Sequence, residues 1–475
     1  MRGCCFLRTG RRSSENRLKT KREPDFAINE SGRGGFLDMN RQLGYKIFCG
    51  VARNVLLLLI VGQRVACLAE AAEASKDWPQ FRGPSGSAHG SAALTDEWDP
   101  TRHVRWRYEL PGPGGSSPIV VGNQVFLTAY SGYGVDERSP GDPRNLVRHL
   151  VCVDRHDGQR LWQRDIPAEE VVDNYADFRR QHGYATSTPA SDGQRVYASF
   201  ENSGVFAFDL TGKQLWHHRV GSRVHNWGSA ASLTVDDRFV FVNAAVEEKA
   251  LLALDKQTGE EVWRFERVIG SWSTPTPVDL PDGGREVLLN VKQRLLGLDR
   301  ESGRQLWFYQ TDESVAASTP TAVDGVVYLS SGNPRFVAAL RVADRSDPNR
   351  PSLVWRTDGI GSGISSPLFY DGRIYVVDRS IAACLNAATG QIVAKTRLTP
   401  SEATFYASPI AAGKTIVAVS RDAGAYIFSV APSFKMVANN RLDPSVFNGT
   451  PAVHDGELLL RSDGYLYCIG GQPRE

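Results

Sequence analysis

The sequence predicts an all-β fold: an eight-bladed β-propeller of four-stranded antiparallel blades. Three observations predict it. A Ser/Thr-Pro signal recurs along the chain, eight times if two looser copies are counted. Each copy is followed by an apolar strand, a turn and a short strand, which in five copies ends in tryptophan. No stretch shows helical periodicity, and a repeat of four short strands every 40 or so residues is the pattern of a propeller.

The first signal reads SSPIVVGNQVF (116–126), STPASDGQRVY (187–197), STPTAVDGVVY (318–328), SSPLFYDGRIY (365–375), ASPIAAGKTIV (407–417) and GTPAVHDGELL (449–459). SAASLTVDDRFVF (229–241) lacks the proline, and STPTPVDLPDGGREVLL (273–289) carries extra turn residues. Asp-Gly turns supply the positive φ angles of tight hairpins. The second signal reads LVCVDRHDGQRLW (150–162), VFAFDLTGKQLW (205–216), LLALDKQTGEEVW (251–263) and LLGLDRESGRQLW (295–307), with a longer-turned version ending at Trp355. AACLNAATGQIVA (382–394) and YIFSVAPSFKMV (426–437) have lost the tryptophan.

Trp162, Trp216, Trp263, Trp307 and Trp355 are therefore expected to close blades one to five and fill the seams between blades. Asp154, Asp209, Asp255 and Asp299 begin the turn between third and fourth strands, where a carboxylate can accept backbone N–H groups. The C-terminal copy, GYLYCIG, is a beginning without a tail, and Trp106 in HVRWRYELPG is a tail without a beginning. Pairing 103–110 with the last copy makes one composite blade, seals the ring and removes two sheet edges. Cys152, Cys384 and Cys468 fall at one repeat position, held elsewhere by Ala207, Ala253, Gly297, Ala339 and Ile427. That reads as a tight packing slot, not a redox framework.

The propeller is expected over 103–470, with a short lead-in at 76–102 and a tail at 471–475. Residues 1–75 read as a leader. From Met39 basic residues precede the apolar run Val55–Gly62 and small-residue sites, the layout of a signal peptide and too short for a span. Residues 1–38 then lie upstream of the working start. Lipidation at Cys67 is a rival reading, which Gln63-Arg64 interrupts. Export to the periplasm or envelope follows from either. The net charge of +2 hides an asymmetry: Arg/Lys exceed Asp/Glu by nine to five in 1–38 and four to two in 39–75, leaving the rest at −4. That argues against a nucleic-acid footprint.

The pattern in ALDKQTGEEVW resembles the pyrroloquinoline quinone (PQQ)-type propeller repeat of quinoprotein alcohol dehydrogenases and of the outer-membrane assembly propeller lipoprotein BamB. DWPQFRGPSGSAHG (77–90) is similar to a lead-in motif of exported PQQ-like propeller proteins of planctomycetes. The resemblance spans about 77–470 and implies the fold; because such folds host both catalysts and scaffolds, it does not choose a function.

Any site is expected on the loops that lead into the innermost strands, around the axial channel. Their large or polar-ended residues are His182, Tyr184, His225, Trp227, Trp272, Phe405, Tyr406 and Asn448, which either hold a ligand or plug the mouth. Insertions at 128–149 and 167–184 are further contact candidates that can pack side by side. The expected function is a non-catalytic binding or assembly scaffold in the envelope, a monomeric ring engaging envelope proteins or a small ligand and needing no cofactor. The alternative is a PQQ-dependent oxidoreductase acting on an alcohol or sugar, which requires quinone and calcium in the channel. Glu201-Asn202, Asp312-Glu313 and Arg223 are of suitable types for it. The resemblance also implies an adjacent-cysteine disulfide over the quinone, and here the only such pair, Cys4-Cys5, lies in the leader.

Overall fold

The computed structural model describes residues 77–470, apart from 91, 169–171, 173, 344–346, 348–349 and 401–402. The leader, signal-peptide and lipidation readings therefore lie outside the described residues. Eight four-stranded antiparallel sheets form the propeller. Blade one spans 119–167, two 190–218, three 234–266, four 276–310, five 321–358, six 368–397 and seven 410–440. Blade eight is composite: three strands from 452–469 are completed by Val104–Glu109, which pairs antiparallel with Tyr465–Ile469. The only α-helix among the described residues is Arg179–His182. No helix there is long and apolar enough to cross a membrane.

Every blade carries the same irregularity. The pairing of third and fourth strands skips one residue beside the blade-closing position, as between Cys152–Trp162 and Val153–Arg160. The skipped residues in blades one, two, three, five, six and seven are Leu161, Leu215, Val262, Val354, Val393 and Val437, all exposed. A bulge on the outermost strand twists its free edge away from further pairing.

The tryptophans bind one blade to the next. The indole N–H of Trp106 donates to Arg155 O (2.8 Å), Trp162 to Leu210 O (3.0 Å), Trp216 to Lys256 O (3.1 Å), Trp263 to Arg300 O (3.1 Å) and Trp355 to Ala387 O (2.8 Å). Each acceptor lies in the third-to-fourth-strand turn of the following blade. Trp307 differs because blade five has the longer turn; its N–H donates to Glu286 Oε2 at 2.7 Å. The turn aspartates accept backbone N–H groups as expected, for example Asp255 Oδ1 from Gln257 (2.9 Å) and Thr258 (3.0 Å). Cys152, Cys384 and Cys468, the cysteines among the described residues, are buried and free. Burial pushes Cys384 up to about 11 and Cys468 up to about 12, so both stay thiols at neutral pH.

Candidate functional site

The Ser/Thr of each Ser/Thr-Pro signal forms a closed ring around the axis. Ser117 N–H donates to Thr188 Oγ1 (2.9 Å), Thr188 to Ser232 Oγ (3.1 Å), Ser232 to Thr274 Oγ1 (3.1 Å) and Thr274 to Thr319 Oγ1 (3.1 Å). The cycle continues from Thr319 to Ser366 (3.0 Å), Ser366 to Ser408 (3.0 Å), Ser408 to Thr450 (2.9 Å) and Thr450 back to Ser117 (3.0 Å). Each blade thus hands its backbone donor to the next blade's hydroxyl, which is why blade three keeps Ser232 although it lost the proline.

One end of the channel is closed by the lead-in segment. It crosses beneath the ring and touches blade after blade: Trp78 exchanges two backbone bonds with Val120 (both 2.9 Å), Pro79 O accepts from Ser191, and Gln80 Oε1 accepts from Val235. The buried Arg82 donates to Thr321 Oγ1 (2.9 Å) and Pro367 O (2.6 Å), and Ala88 O accepts from Ala411. His89–Gly90 then adds a parallel strand inside blade seven. The channel is consequently a blind pit of about 580 Å³, with Phe81 below, all eight hydroxyls around it and the inter-blade loops above.

The mouth is built from the two insertions and neighbouring loops. Tyr130 and Tyr133 from the first insertion pack on Tyr184 from the second, with ring centroids 5.4 and 5.6 Å apart. This core holds helix Arg179–His182 over the pit. From there Gln181 O accepts from Asn448 Nδ2 (2.8 Å) and Arg421 Nη2 (3.1 Å), and Gln181 Oε1 accepts from Tyr406. The helix therefore straps the mouth from blade two to blades seven and eight. On the other side Trp227 and Trp272 face each other at 5.0 Å, Phe178 packs on Trp227 at 4.8 Å, and Trp272 Nε1 is fixed by Gly228 O at 2.8 Å.

Of the residues singled out in the sequence, His182, Trp227, Trp272, Tyr406 and Asn448 line the pit. Burial lowers His182 to about 4, so it is neutral. His225 is exposed and packs on Trp272 from outside. Tyr184 lies in the tyrosine core and Phe405 against Tyr426 in the blade core. Sequence reasoning read the Ser/Thr before proline only as the start of a strand; its recurrence once per blade was the available signal for the ring.

The residues offered for a calcium–quinone pair do not converge. Both Glu201 oxygens are taken, by Arg148 (2.9 Å) and Arg179 (2.5 Å), and Asp312 pairs with Arg356 at 3.0 Å. Arg223 is exposed. Only Glu313 lines the pit, and burial pushes its carboxyl up to about 8. Its Oε2 accepts from Asn290 Nδ2 at 3.0 Å. These residues, as placed, do not fit that group. A Ser131–His149–Asp165 relay (2.8 and 2.7 Å) crosses the strands of blade one, and none of the three lines the pit.

The family described as outer membrane protein assembly factor BamB matches residues 147–396 and 341–431. The outer membrane protein assembly factor BamB of Burkholderia pseudomallei (strain K96243) is 23% identical over 373 residues, which is 67% of this chain and 85% of that protein. A tetrathionate hydrolase of Acidithiobacillus ferrooxidans is 22% identical over 309 residues, 58% of this chain and 56% of that protein. Among solved structures, the quinohemoprotein alcohol dehydrogenase from Comamonas testosteroni superposes with a TM-score of 0.60 at 13% identity, covering 84% of this chain and 81% of that one. At that identity the likeness carries the fold alone.

Proposed function

The chain belongs to the family of the outer membrane protein assembly factor BamB, and from that premise we propose that it is an exported, non-catalytic binding or assembly scaffold of the cell envelope. The observation that supports this is the composition of the mouth face. Val135, Phe178, Val224, Ile269 and Ile364 are 38–54% exposed, and all five stand in loops on that side. The other ten exposed large apolar side chains among the described residues lie on the bulged outermost strands, so these five are the ones on loops, where exposed apolar groups favour a protein contact. The tyrosine core makes the two insertions a firm part of this face.

The test uses the exported chain in cells that produce it, with a photo-crosslinking residue at Ile269, at Ile364 or, on the outer edge of blade two, at Leu215. The two mouth positions are expected to trap the same envelope protein and Leu215 not to. Capture only from Leu215, or from none, overturns the reading. So does one-to-one binding of added PQQ with calcium accompanied by dye reduction, which would establish the oxidoreductase alternative.

A further inference from the structure

The pit is a built polar site as well as an opening. Each ring hydroxyl already accepts one backbone N–H, and among the described residues none of the eight hydroxyl protons has a protein acceptor. Each therefore offers the pit one donor and one remaining lone pair. Two residues of the lining also carry a polar atom without a partner, Glu313 (3% exposed) at Oε1 and Asn448 (8% exposed) at Oδ1, both atoms closed to solvent. An unpaired buried polar atom is costly unless something fills its place.

The walls above are aromatic: Trp227, Trp272, Phe178 and Tyr406. Charge is scarce. Among the described residues, Glu313 is the only carboxyl on the lining, and Arg379, the only Lys or Arg there, is exposed at the rim. A permanent organic cation would find aromatic faces to lie on but would leave the eight free hydroxyl donors of the ring without an acceptor, and burial favours the protonated form of Glu313. A permanent anion needs a buried cation, and Arg379 is screened by solvent. What remains is a ligand whose edges donate and accept equally and whose faces are apolar enough to lie on indole rings.

We propose that the pit above the hydroxyl ring binds a neutral, hydroxyl-rich cyclic ligand, a mono- or disaccharide. Its ring face lies on Trp272 and Trp227, and its hydroxyls meet the eight ring hydroxyls and the polar ends of Glu313 and Asn448. The volume of about 580 Å³ sits within the roughly 300–1,000 Å³ usual for small-molecule sites. This goes beyond the scaffold reading and does not require it: the two share Phe178 and Ile364 at the mouth, but the hydroxyl ring and Glu313 lie deeper, within the pit.

The test is titration of the purified exported chain with maltose and cellobiose, with choline and citrate as charged comparators, followed by calorimetry and intrinsic tryptophan fluorescence. Saturable binding of at least one disaccharide is expected, with a fluorescence change. Trp272→Ala should weaken it by about tenfold, the loss of one stacking surface. Glu313→Leu should also weaken it by about tenfold, and Glu313→Gln, which keeps a donor and an acceptor, should restore most of that. If Trp272→Ala does not fold, Trp272→Leu serves in its place. No saturable response to either sugar overturns the proposal, as does binding that neither Trp272 nor Glu313 variants alter. Binding of choline abolished by both Glu313 variants replaces it with a cation site, and binding of citrate alone replaces it with an anion site. Because no partner protein is present, failure here leaves the crosslinking result standing, and the reverse also holds.

Discussion

At the scale of single residues, the blade-closing indoles and the turn glycines form one contact. Gly158, Gly212, Gly259, Gly303 and Gly390 all have positive φ, and each has the indole of the preceding blade pressed against the position where a Cβ would stand. Gly259 (φ +75) would bring its Cβ to 2.6 Å from Trp216 Cδ2. Gly193 (φ +84) has open space there. Gly259→Ala should therefore combine backbone strain with overpacking and destabilise by about 2–4 kcal/mol. Gly193→Ala should show strain alone, about 1 kcal/mol. Denaturant midpoints of the two variants check this, and equal shifts would show that the indole contact is not what selects glycine.

Protonation is also a residue-scale matter. Burial raises Glu313 from its ordinary 4.5 to about 8, and Glu247 to about 7. A carboxyl whose folded value is raised binds more protons folded than unfolded. Its contribution is thus fully present below about pH 4.5 and is lost as the pH rises through the folded value. Between those limits the stability of the native protein should fall with rising pH, and the fall should be shallower in Glu313→Gln. Thermal midpoints at pH 5, 6.5 and 8 measure it; parallel profiles for the two proteins would refute the assignment.

At the scale of the element, the third strand explains the slot that the cysteines share. Its residue lies opposite the tryptophan of the fourth strand: Cys152 faces Trp162, Ala253 faces Trp263, Gly297 faces Trp307 and Cys468 faces Trp106. Where the tryptophan is lost, the slot can grow, and Ile427 faces Ala438. Blade six instead keeps both positions small, with Cys384 facing Ala394, so the volume trade belongs to blade seven. Ala253→Ile should cost about 1–3 kcal/mol through overpacking, and Ile427→Ala about 2–5 kcal/mol through a cavity. Chemical denaturation of both variants tests the trade, and a neutral Ala253→Ile would show that the seam yields.

That element was legible in sequence because it repeats. Strands and turns recur in every blade, and the tryptophan and the small slot in most of them, so each copy vouches for the others. What does not repeat was harder to read. The segment at 77–90 carries a distinctive composition, but only the closed ring shows that its path crosses the channel and makes a pit of it. The pair Asp312-Glu313 stands out in sequence as a chemically suitable type, but the local sequence does not show that only Glu313 reaches the pit lining, where Asn290 of the preceding strands contacts it. The strap at Arg179–His182 is too short to leave a helical period.

At the scale of the whole molecule, stability depends on a closure that one strand provides. Val104–Glu109 supplies Trp106 to the seam with blade one, and its skipped residue is Arg105 where other blades expose an apolar side chain. Arg105 is instead partly covered and paired with Glu457, which also holds Arg155 of blade one at 2.5 Å. One carboxylate thus ties the N-terminal strand, the C-terminal blade and the first blade together. Glu457→Gln removes the carboxylate that the partly covered Arg105 and the buried Arg155 share and should destabilise by about 3–5 kcal/mol. Trp263→Ala should cost a similar amount, about 3–5 kcal/mol, at an ordinary seam. The two differ in where the ring opens. Loss of Glu457 unlatches the termini, so hydrogen exchange should rise first in Val104–Glu109, Tyr465–Ile469 and the adjoining strands of blade one. Loss of Trp263 should open the seam between blades three and four, which is continuous in chain and free to reclose. Unchanged protection at Val104–Glu109 in Glu457→Gln, despite lowered global stability, would mean that the composite blade is held by its ladder and indole alone and that the ion pairs are incidental to closure.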